Sequence, residues 1–225
     1  MELAQEIVRE ARRQLAADGP RGLSLRAIAR ELGMASSALY RYFPSRDELL
    51  VALASEAYGS LSSQLKRAVG TAVAEGDGEA GGSARDRWRA LCAAVRDWAH
   101  ECPEEYALVF GTPLPGSPVP MDWMPLSMAG ILSEASCQGN RSRAAAAPRP
   151  LPERLEARLA GIAAETTPEL STALLAQGLS AWTRLLGLVS FELYGRTAAS
   201  IDPDGEFFAY SVEEMADSLG LSAKL

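Results

Sequence analysis

The sequence predicts an all-α fold with a three-helix N-terminal head, residues 1–50, and a larger helical body, residues 51–225. Three observations support this prediction. Two short helical patterns meet at one glycine, Gly33, within residues 24–43. An amphipathic segment precedes them, and long segments with apolar residues at helical spacing follow. The 225 residues, 48% of them hydrophobic, are also enough to bury a sizeable core.

The first predicted helix is amphipathic and ends at Gly19-Pro20. Its apolar residues step by four along the chain: Leu3, Ile7, Ala11 and Leu15. We expect this stripe to pack across the two short helices that follow, because those helices are too small to bury a core by themselves.

Residues 24–43 predict a helix-turn-helix. Ser24 is the expected N-cap of the first helix, and Gly33 is expected to end it in the left-handed conformation. Ser36 or Ser37 is expected to cap a second helix that runs to about Phe43. Two helices joined by a short turn containing glycine are typical of this motif, although helical hairpins of all-α proteins share that outline.

The exposed face of the second helix distinguishes the motif from an ordinary hairpin. It carries short hydroxyls, phenols and a guanidinium, which suit base edges and phosphates. These residues are Ser36, Ser37, Tyr40, Arg41 and Tyr42.

The run LSLRAIARELGMASSALYRYFPSRDELLVALA closely resembles the DNA-binding segment of the TetR-type transcriptional regulators. The matching features are Ser24, Ile28-Ala29, Leu32-Gly33, Leu39-Tyr40 and Tyr42-Phe43, and the resemblance covers roughly Ile7 to Leu53. It implies base-edge contacts from Arg26, Ser36 and Ser37, with methyl contacts from Ala38. It implies phosphate contacts from Ser24, Tyr40, Tyr42 and Arg46, with Arg41 suited to either role.

A second feature of the sequence supports the predicted phosphate contact of Arg46. Ser45 and Glu48 form a capping box, so Arg46 lies in the first turn of the next helix. Backbone amides and a guanidinium could jointly bind a phosphate there. Without DNA, Arg46 would be a solvated first-turn residue.

The net charge of −7 is unevenly distributed along the chain. Residues 1–50 carry a net charge of +1, and residues 51–225 carry −8. A nearly neutral head on an acidic body fits a protein that contacts DNA at one end only.

Aromatic residues in the body predict a small-molecule site. Residues 85–110 form a helical pattern with an aromatic stripe that Pro103 interrupts. Core packing explains most such stripes, but Trp and Tyr near a helix break leave polar tips and irregular space that pockets use. His100, the only histidine, is expected to be a hydrogen-bonded core residue or a pocket donor. The ligand-binding candidates are Trp88, Trp98, His100, Tyr106, Phe110, Trp123, Trp182 and Phe191.

The two C-terminal helical segments predict a homodimer interface. Apolar residues surround much of the segment between residues 170 and 193, which Pro168 is expected to open near its first turn. A last segment carries Phe207, Phe208 and Tyr210. Covering the monomer's own core is the alternative. The excess of apolar surface and the TetR resemblance both favour a four-helix bundle made from two chains.

Several other classes of protein find no support in the sequence. Dinucleotide-binding, phosphate-loop, zinc-protease and serine-hydrolase motifs do not occur in a fitting context. The three cysteines lack paired metal spacing, and no apolar run reaches the ~18 residues of a membrane helix. A secretory signal is also missing. We therefore expect a cytoplasmic protein that is not an enzyme and that uses no cofactor, no metal and no membrane.

These observations predict a sequence-specific DNA-binding transcriptional regulator. The TetR resemblance implies, most often, a homodimeric repressor that a small apolar or aromatic ligand releases from a palindromic operator. The long helix that begins near residue 46 would carry displacement from the ligand site to the head. The alternative is a helical small-molecule-binding protein or enzyme that retains a vestigial DNA-binding head.

Overall fold

The computed structural model describes residues 2–74, 82–111, 126–137, 150–166, 168, 170–195, 201–202 and 204–221. The described residues form helices and connecting turns and contain no β-strand, which confirms the predicted all-α fold. The helices are α1 (Glu2–Gly22), α2 (Leu25–Glu31), α3 (Ser36–Leu39), α4 (Arg46–Ala74), α5 (Ala84–Glu101), α6 (Pro103–Tyr106), a π-helix (Ala107–Gly111), α7 (Leu126–Cys137), α8 (Glu153–Thr166), α9 (Thr172–Tyr194) and α10 (Glu206–Ser218).

The chain divides into two compact units. The head unit comprises Met1–Ser62 and Trp98–Pro120, and the body unit comprises Ser63–Asp97 and Met121–Leu225. The helices α4 and α5 each contribute to both units. A domain boundary at residue 50 stays a prediction, but the first division between units also falls inside the long helix α4.

The head unit has one apolar core. Helix α1 packs against α2 and α6, and α2 packs against α3. The predicted stripe of α1 lies in this core, with Leu3 partly buried at its edge. The core also includes Leu108 of the π-helix, so a segment that follows α5 in the chain helps to cover the head. The side chains of this core with 0% exposure include Ile7, Ala11, Ile28, Leu39 and Leu49.

The body unit is built around α9. This helix packs against α7, α8 and α10. The indole N–H of Trp88 on α5 donates to the carbonyl oxygen of Val212 on α10 at 3.0 Å. Arg96 of α5 bonds Glu192 of α9 at 2.8 Å and lies 4.7 Å from the ring centre of Phe208 on α10. These contacts tie α5, α9 and α10 together.

The predicted end of the second motif helix is wrong. Regular helix ends at Leu39, and residues 40–42 form a turn. The amides of Arg41 and Tyr42 bond the carbonyls three residues earlier, at 3.2 and 2.9 Å. These i→i−3 bonds replace the α-helical pattern at Arg41 and Tyr42, and Pro44 keeps the helix from resuming, because it has no N–H and disfavours the helical conformation of Phe43. Ala35, without a side-chain bond, stands at the N-cap instead of Ser36 or Ser37.

The predicted start of the long C-terminal helix is also wrong. Helix α9 begins at Thr172, and the hydroxyl of Ser171 accepts from the amide of Leu174 at 3.3 Å. Pro168 therefore lies in the preceding turn and does not open the helix. A serine is a strong N-cap because its oxygen satisfies an amide that has no partner within the helix.

Candidate nucleic-acid interface and ligand site

The turn between α2 and α3 depends on Gly33. Its φ of +63° lies in the left-handed region, where a Cβ would strain the backbone. The amide of Met34 donates to the carbonyl of Ala29 at 2.9 Å, which closes the end of α2. Gly33 thus stops α2 as predicted and directs the chain into α3.

Ser24 caps α2 as predicted. Its hydroxyl oxygen accepts from the amide of Ala27 at 3.4 Å, and the side chain is half-buried. A serine hydroxyl that accepts one bond still carries a hydrogen to donate. The cap is therefore compatible with the phosphate contact predicted for Ser24.

Helix α3 is anchored through one side and exposed on the other. Leu39 has no exposed surface and lies in the head core with Ile28 and Ala29. Ala38 is half-buried. The remaining predicted DNA contacts of this region are all exposed side chains: Arg26, Ser36, Ser37, Tyr40, Arg41 and Tyr42. The structure therefore brings the predicted base-reading and phosphate-binding groups to the surface around one rigid turn.

The two arginines of this surface, Arg26 and Arg41, differ from Arg12 and Arg13 on α1. Arg12 and Arg13 pair with carboxylates of Glu10, Glu56 and Glu105. In the described part of the chain, neither Arg26 nor Arg41 has a carboxylate within ion-pair distance. Exposed guanidinium groups without a carboxylate partner suit phosphates and guanine edges.

Arg46 already has partners in the structure. Its Nε donates to the carbonyl of Leu23 at 3.2 Å, and its Nη2 donates to the carbonyl of Pro20. The guanidinium therefore links the start of α4 to the C-terminal end of α1 and to Leu23, which follows it. The phosphate contact of Arg46 stays a prediction, and in the free protein this side chain positions the helix-turn-helix.

Three of the predicted ligand-binding residues lie together in the head unit. The ring of Trp98 lies 6.4 Å from that of Tyr106, measured between centroids, and Tyr106 lies 5.2 Å from Phe110. Trp98 and Tyr106 are buried, and Phe110 is half-buried. His100 is exposed, because two residues correspond to about 200° around α5 from Trp98. His100 is therefore not part of the aromatic group that Trp98, Tyr106 and Phe110 form.

Three other candidates lie in the body unit. Trp88 and Trp182 are buried, at 0% and 3% exposure. Phe191 is half-buried and lines an open groove between α9 and α10 with Leu188 and Phe207. Trp123 lies outside the described residues.

Two polar contacts within the head unit were not predicted from the sequence. The buried Gln14 accepts from the amide of Ser24 at 3.5 Å and donates to Glu10 at 3.2 Å. A hydrogen bond from Arg13 lowers the pKa of Glu10, and the Gln14 bond acts in the same direction. The buried position of Gln14 could have been predicted from the sequence, because Gln14 lies three residues after Ala11 on the apolar side of α1. The second contact is the ion pair between Arg12 and Glu105. These two residues are too far apart in the sequence for their pairing to be predicted.

The described residues contain neither a membrane-spanning helix nor a metal-binding cluster. None of their helices is long and apolar enough to cross a membrane. They also contain no group of three or more His, Cys, Asp or Glu side chains that could hold a metal ion.

Comparison with known families assigns both parts of the chain. A sequence profile described as bacterial regulatory proteins, tetR family, matches residues 7–53. A second profile, described as tetracyclin repressor-like, C-terminal domain, matches residues 88–215. The chain belongs to the tetR family of transcriptional regulators. The predicted helix-turn-helix is therefore the DNA-binding motif of this family.

Individual proteins that are similar to this tetR-family chain include other regulatory proteins. It is 46% identical over 121 residues to the HTH-type transcriptional regulator Mb1846 of Mycobacterium bovis, an alignment covering 54% of this chain and 49% of that protein. The chain thus spans about half the length of this curated relative. The crystal structure of the regulatory protein SCO4313 is similar at 29% identity, with 95% of each chain covered and a TM-score of 0.66. A protein of unknown function from Rhodococcus sp. RHA1 is 25% identical, with 97% and 95% covered and a TM-score of 0.68.

Proposed function

We propose that this tetR-family regulator is a homodimeric repressor that a small apolar or aromatic ligand releases from a palindromic operator. The observation that carries the DNA-binding part is the exposed polar surface around Gly33. Its side chains match base edges and phosphates, and Leu39 and Ser24 hold the two helices beneath it rigid. A repressor of this kind works beside the chromosome, so the proposal places the protein in the cytoplasm.

Exposed apolar surface on α9 and α10 supports the homodimer. Phe207 and Tyr210 of α10 are 44% and 62% exposed, and Tyr194 of α9 is 56% exposed. A methyl group added at Gly187 in the groove beside them would meet no atom within 4 Å, so another helix can approach the backbone there. Apolar faces of this kind mark protein–protein contacts. Two copies joined through them form a two-fold dimer with two heads.

The dimer has a direct test. We expect Tyr210→Glu to shift the protein from dimer to monomer in size-exclusion chromatography with light scattering, because a carboxylate in an apolar interface loses its hydration. Leu155→Glu is the matched control, since Leu155 on α8 is 41% exposed outside this face. A monomeric wild-type protein would contradict the dimer, and a Tyr210→Glu variant that stays dimeric would contradict this interface.

The position of the π-helix supports ligand release. Tyr106 and Phe110 flank Leu108, and Leu108 packs in the same core as Ile28 and Leu39. A ligand that displaces these rings changes the packing beneath the DNA-binding helices. A change in the orientation of the heads alters their match to two major-groove sites about one helical turn apart.

Selection of operator DNA tests the whole proposal. The pure protein is mixed with random and genomic fragments at a stated salt concentration, and the retained fragments are sequenced. We expect an inverted repeat, whose transcription the protein lowers and an effector restores. Binding that ignores sequence and disappears at physiological salt would overturn the proposal and favour a ligand-binding protein with a vestigial head.

A further inference from the structure

Two tryptophans on α5 differ in the state of their indole N–H groups. Trp88 and Trp98 are 0% and 2% exposed. The Trp88 N–H donates to the carbonyl of Val212 at 3.0 Å. The Trp98 N–H has no acceptor within hydrogen-bond distance among the described residues. The two side chains are equally buried, so burial alone does not explain the difference.

A buried donor without an acceptor is costly. Leaving one unsatisfied costs about 1–3 kcal/mol, and the great majority of buried polar groups have a partner. A buried water could supply one, but it needs about two to four polar partners of its own. The ring contact at Trp98 is instead aromatic, to Tyr106, whose ring in turn contacts Phe110.

The backbone beside Trp98 is also unusual. Residues 107–111 form a π-helix directly after α6, and single π-helical turns occur frequently at functional sites. This turn carries Phe110 in the aromatic group and Leu108 in the head core. An unsatisfied N–H, an aromatic wall and a widened helix therefore meet in the same unit as the DNA-binding helices.

We propose that Trp98 donates its indole N–H to a neutral carbonyl oxygen of the effector, and that the effector is a planar aromatic compound carrying such a carbonyl. This inference rests on the ligand response proposed above and names the chemistry of its ligand. The rings of Tyr106 and Phe110 provide the stacking surface, and the N–H provides orientation. A neutral acceptor fits because a buried anion requires a charged partner, and the ring neighbours of Trp98 are uncharged.

A matched pair of probes tests the proposal on the unmodified protein. Acetophenone carries the carbonyl, and α-methylstyrene has the same shape with a CH₂ group in its place. With ¹⁵N-labelled tryptophan, each indole N–H gives one NMR signal, and loss of a signal in Trp98→Phe assigns it. We expect acetophenone to move the Trp98 proton downfield and to bind about tenfold more tightly than α-methylstyrene.

Two variants supply the control. Trp98→Phe removes the unsatisfied N–H, so we expect it to lose less thermal stability than Trp88→Phe, which removes the same ring volume, and to bind the two probes with equal affinity. Trp88→Phe leaves the Val212 carbonyl without its donor, so we expect lower stability and an intact preference for acetophenone. Equal affinity of the wild-type protein for both probes, binding of neither, or a preference that survives in Trp98→Phe would each overturn the proposal. A Trp98 proton that exchanges magnetisation with a bound water and ignores acetophenone would do the same.

Failure of the proposed Trp98 contact can be distinguished from failure of the proposed ligand release. A preference for acetophenone without any change in operator affinity would leave the Trp98 contact standing and would count against release. A compound that releases the operator equally from wild type and Trp98→Phe would support release and overturn the Trp98 contact.

Discussion

The guanidinium of Arg12 on α1 lies 2.8 Å from the carboxylate of Glu105 on α6. A second nitrogen of Arg12 lies 3.3 Å from Glu56 on α4. Because α1 supports the helix-turn-helix, this pair connects the segment that follows Trp98 to the DNA-binding part of the head unit. The side chain of Glu105 is 13% exposed, so this ion pair is partly shielded from water.

Glu105→Gln is expected to lower the free energy of unfolding by about 1 kcal/mol, near the upper end for ion pairs with one exposed partner. Urea unfolding measures the change. The control is Glu101→Gln, an exposed residue of α5, which should change little. If Arg12→Ala and Glu105→Gln prove additive in a double-mutant cycle, the two side chains are not energetically coupled.

Gly33→Ala is expected to destabilise the head by about 1–2 kcal/mol, the cost of a left-handed conformation for a residue with a Cβ. Backbone strain alone would cause the loss, because an added Cβ meets no atom within 4 Å. Gly33→Asn should lose less, since asparagine tolerates this conformation better.

Gly59→Ala is the control for Gly33. An added Cβ at Gly59 also meets no atom within 4 Å, but Gly59 lies inside α4 with no positive φ. We therefore expect a gain of up to about 1 kcal/mol from helix propensity. A matching gain for Gly33→Ala in thermal unfolding would mean that the turn does not require the left-handed conformation.

Tyr42→Ala and Ser37→Ala are expected to affect DNA binding in different ways. Loss of a phosphate contact at Tyr42 should weaken binding to every sequence, by about fivefold to tenfold for one hydrogen bond. Loss of a base-edge contact at Ser37 should change the preferred bases in the selected operator. Parallel binding measurements on operator and random DNA check both, and equal effects of the two variants on all sequences would remove Ser37 as a reader.

Glu213 on α10 is expected to make the stability of the body unit depend on pH. Hydrogen bonds from Arg89, at 2.6 Å, and from Arg85, at 2.8 Å, hold the pKa of Glu213 below its ordinary value of about 4.5. Because the pKa of Glu213 is lower in the folded state, its ionised side chain contributes its full stabilisation at pH values above the pKa of the unfolded state. It is lost as the pH falls from there through the folded pKa.

Thermal unfolding of Glu213→Gln across that acidic range measures this contribution. The variant should lose stability at neutral pH and show a smaller difference from wild type as the pH falls. Glu214→Gln, an exposed neighbour, should keep the wild-type profile. A constant difference between Glu213→Gln and wild type at every pH would show that ionisation of Glu213 is not involved.

The sequence by itself determined the helix-turn-helix. Ser24, Gly33 and the apolar stripe of α1 act through bonds and spacings within a few residues, so their roles follow from local chemistry. The same holds for the all-α class, which apolar periodicity sets. The helix end at Leu39 and the helix start at Thr172 were not predicted. Small differences in free energy decide whether a helix boundary lies at a proline, at a serine cap or one turn away.

Only the tertiary structure decided which groups meet across long distances in the chain. It paired Arg12 with Glu105 and gave Arg46 the carbonyls of Pro20 and Leu23. It also supplied an acceptor to Trp88 and showed none, among the described residues, for Trp98. Hydrogen bonds and ion pairs depend on distance and direction between atoms. Residues far apart in sequence acquire those relations only when the helices have packed.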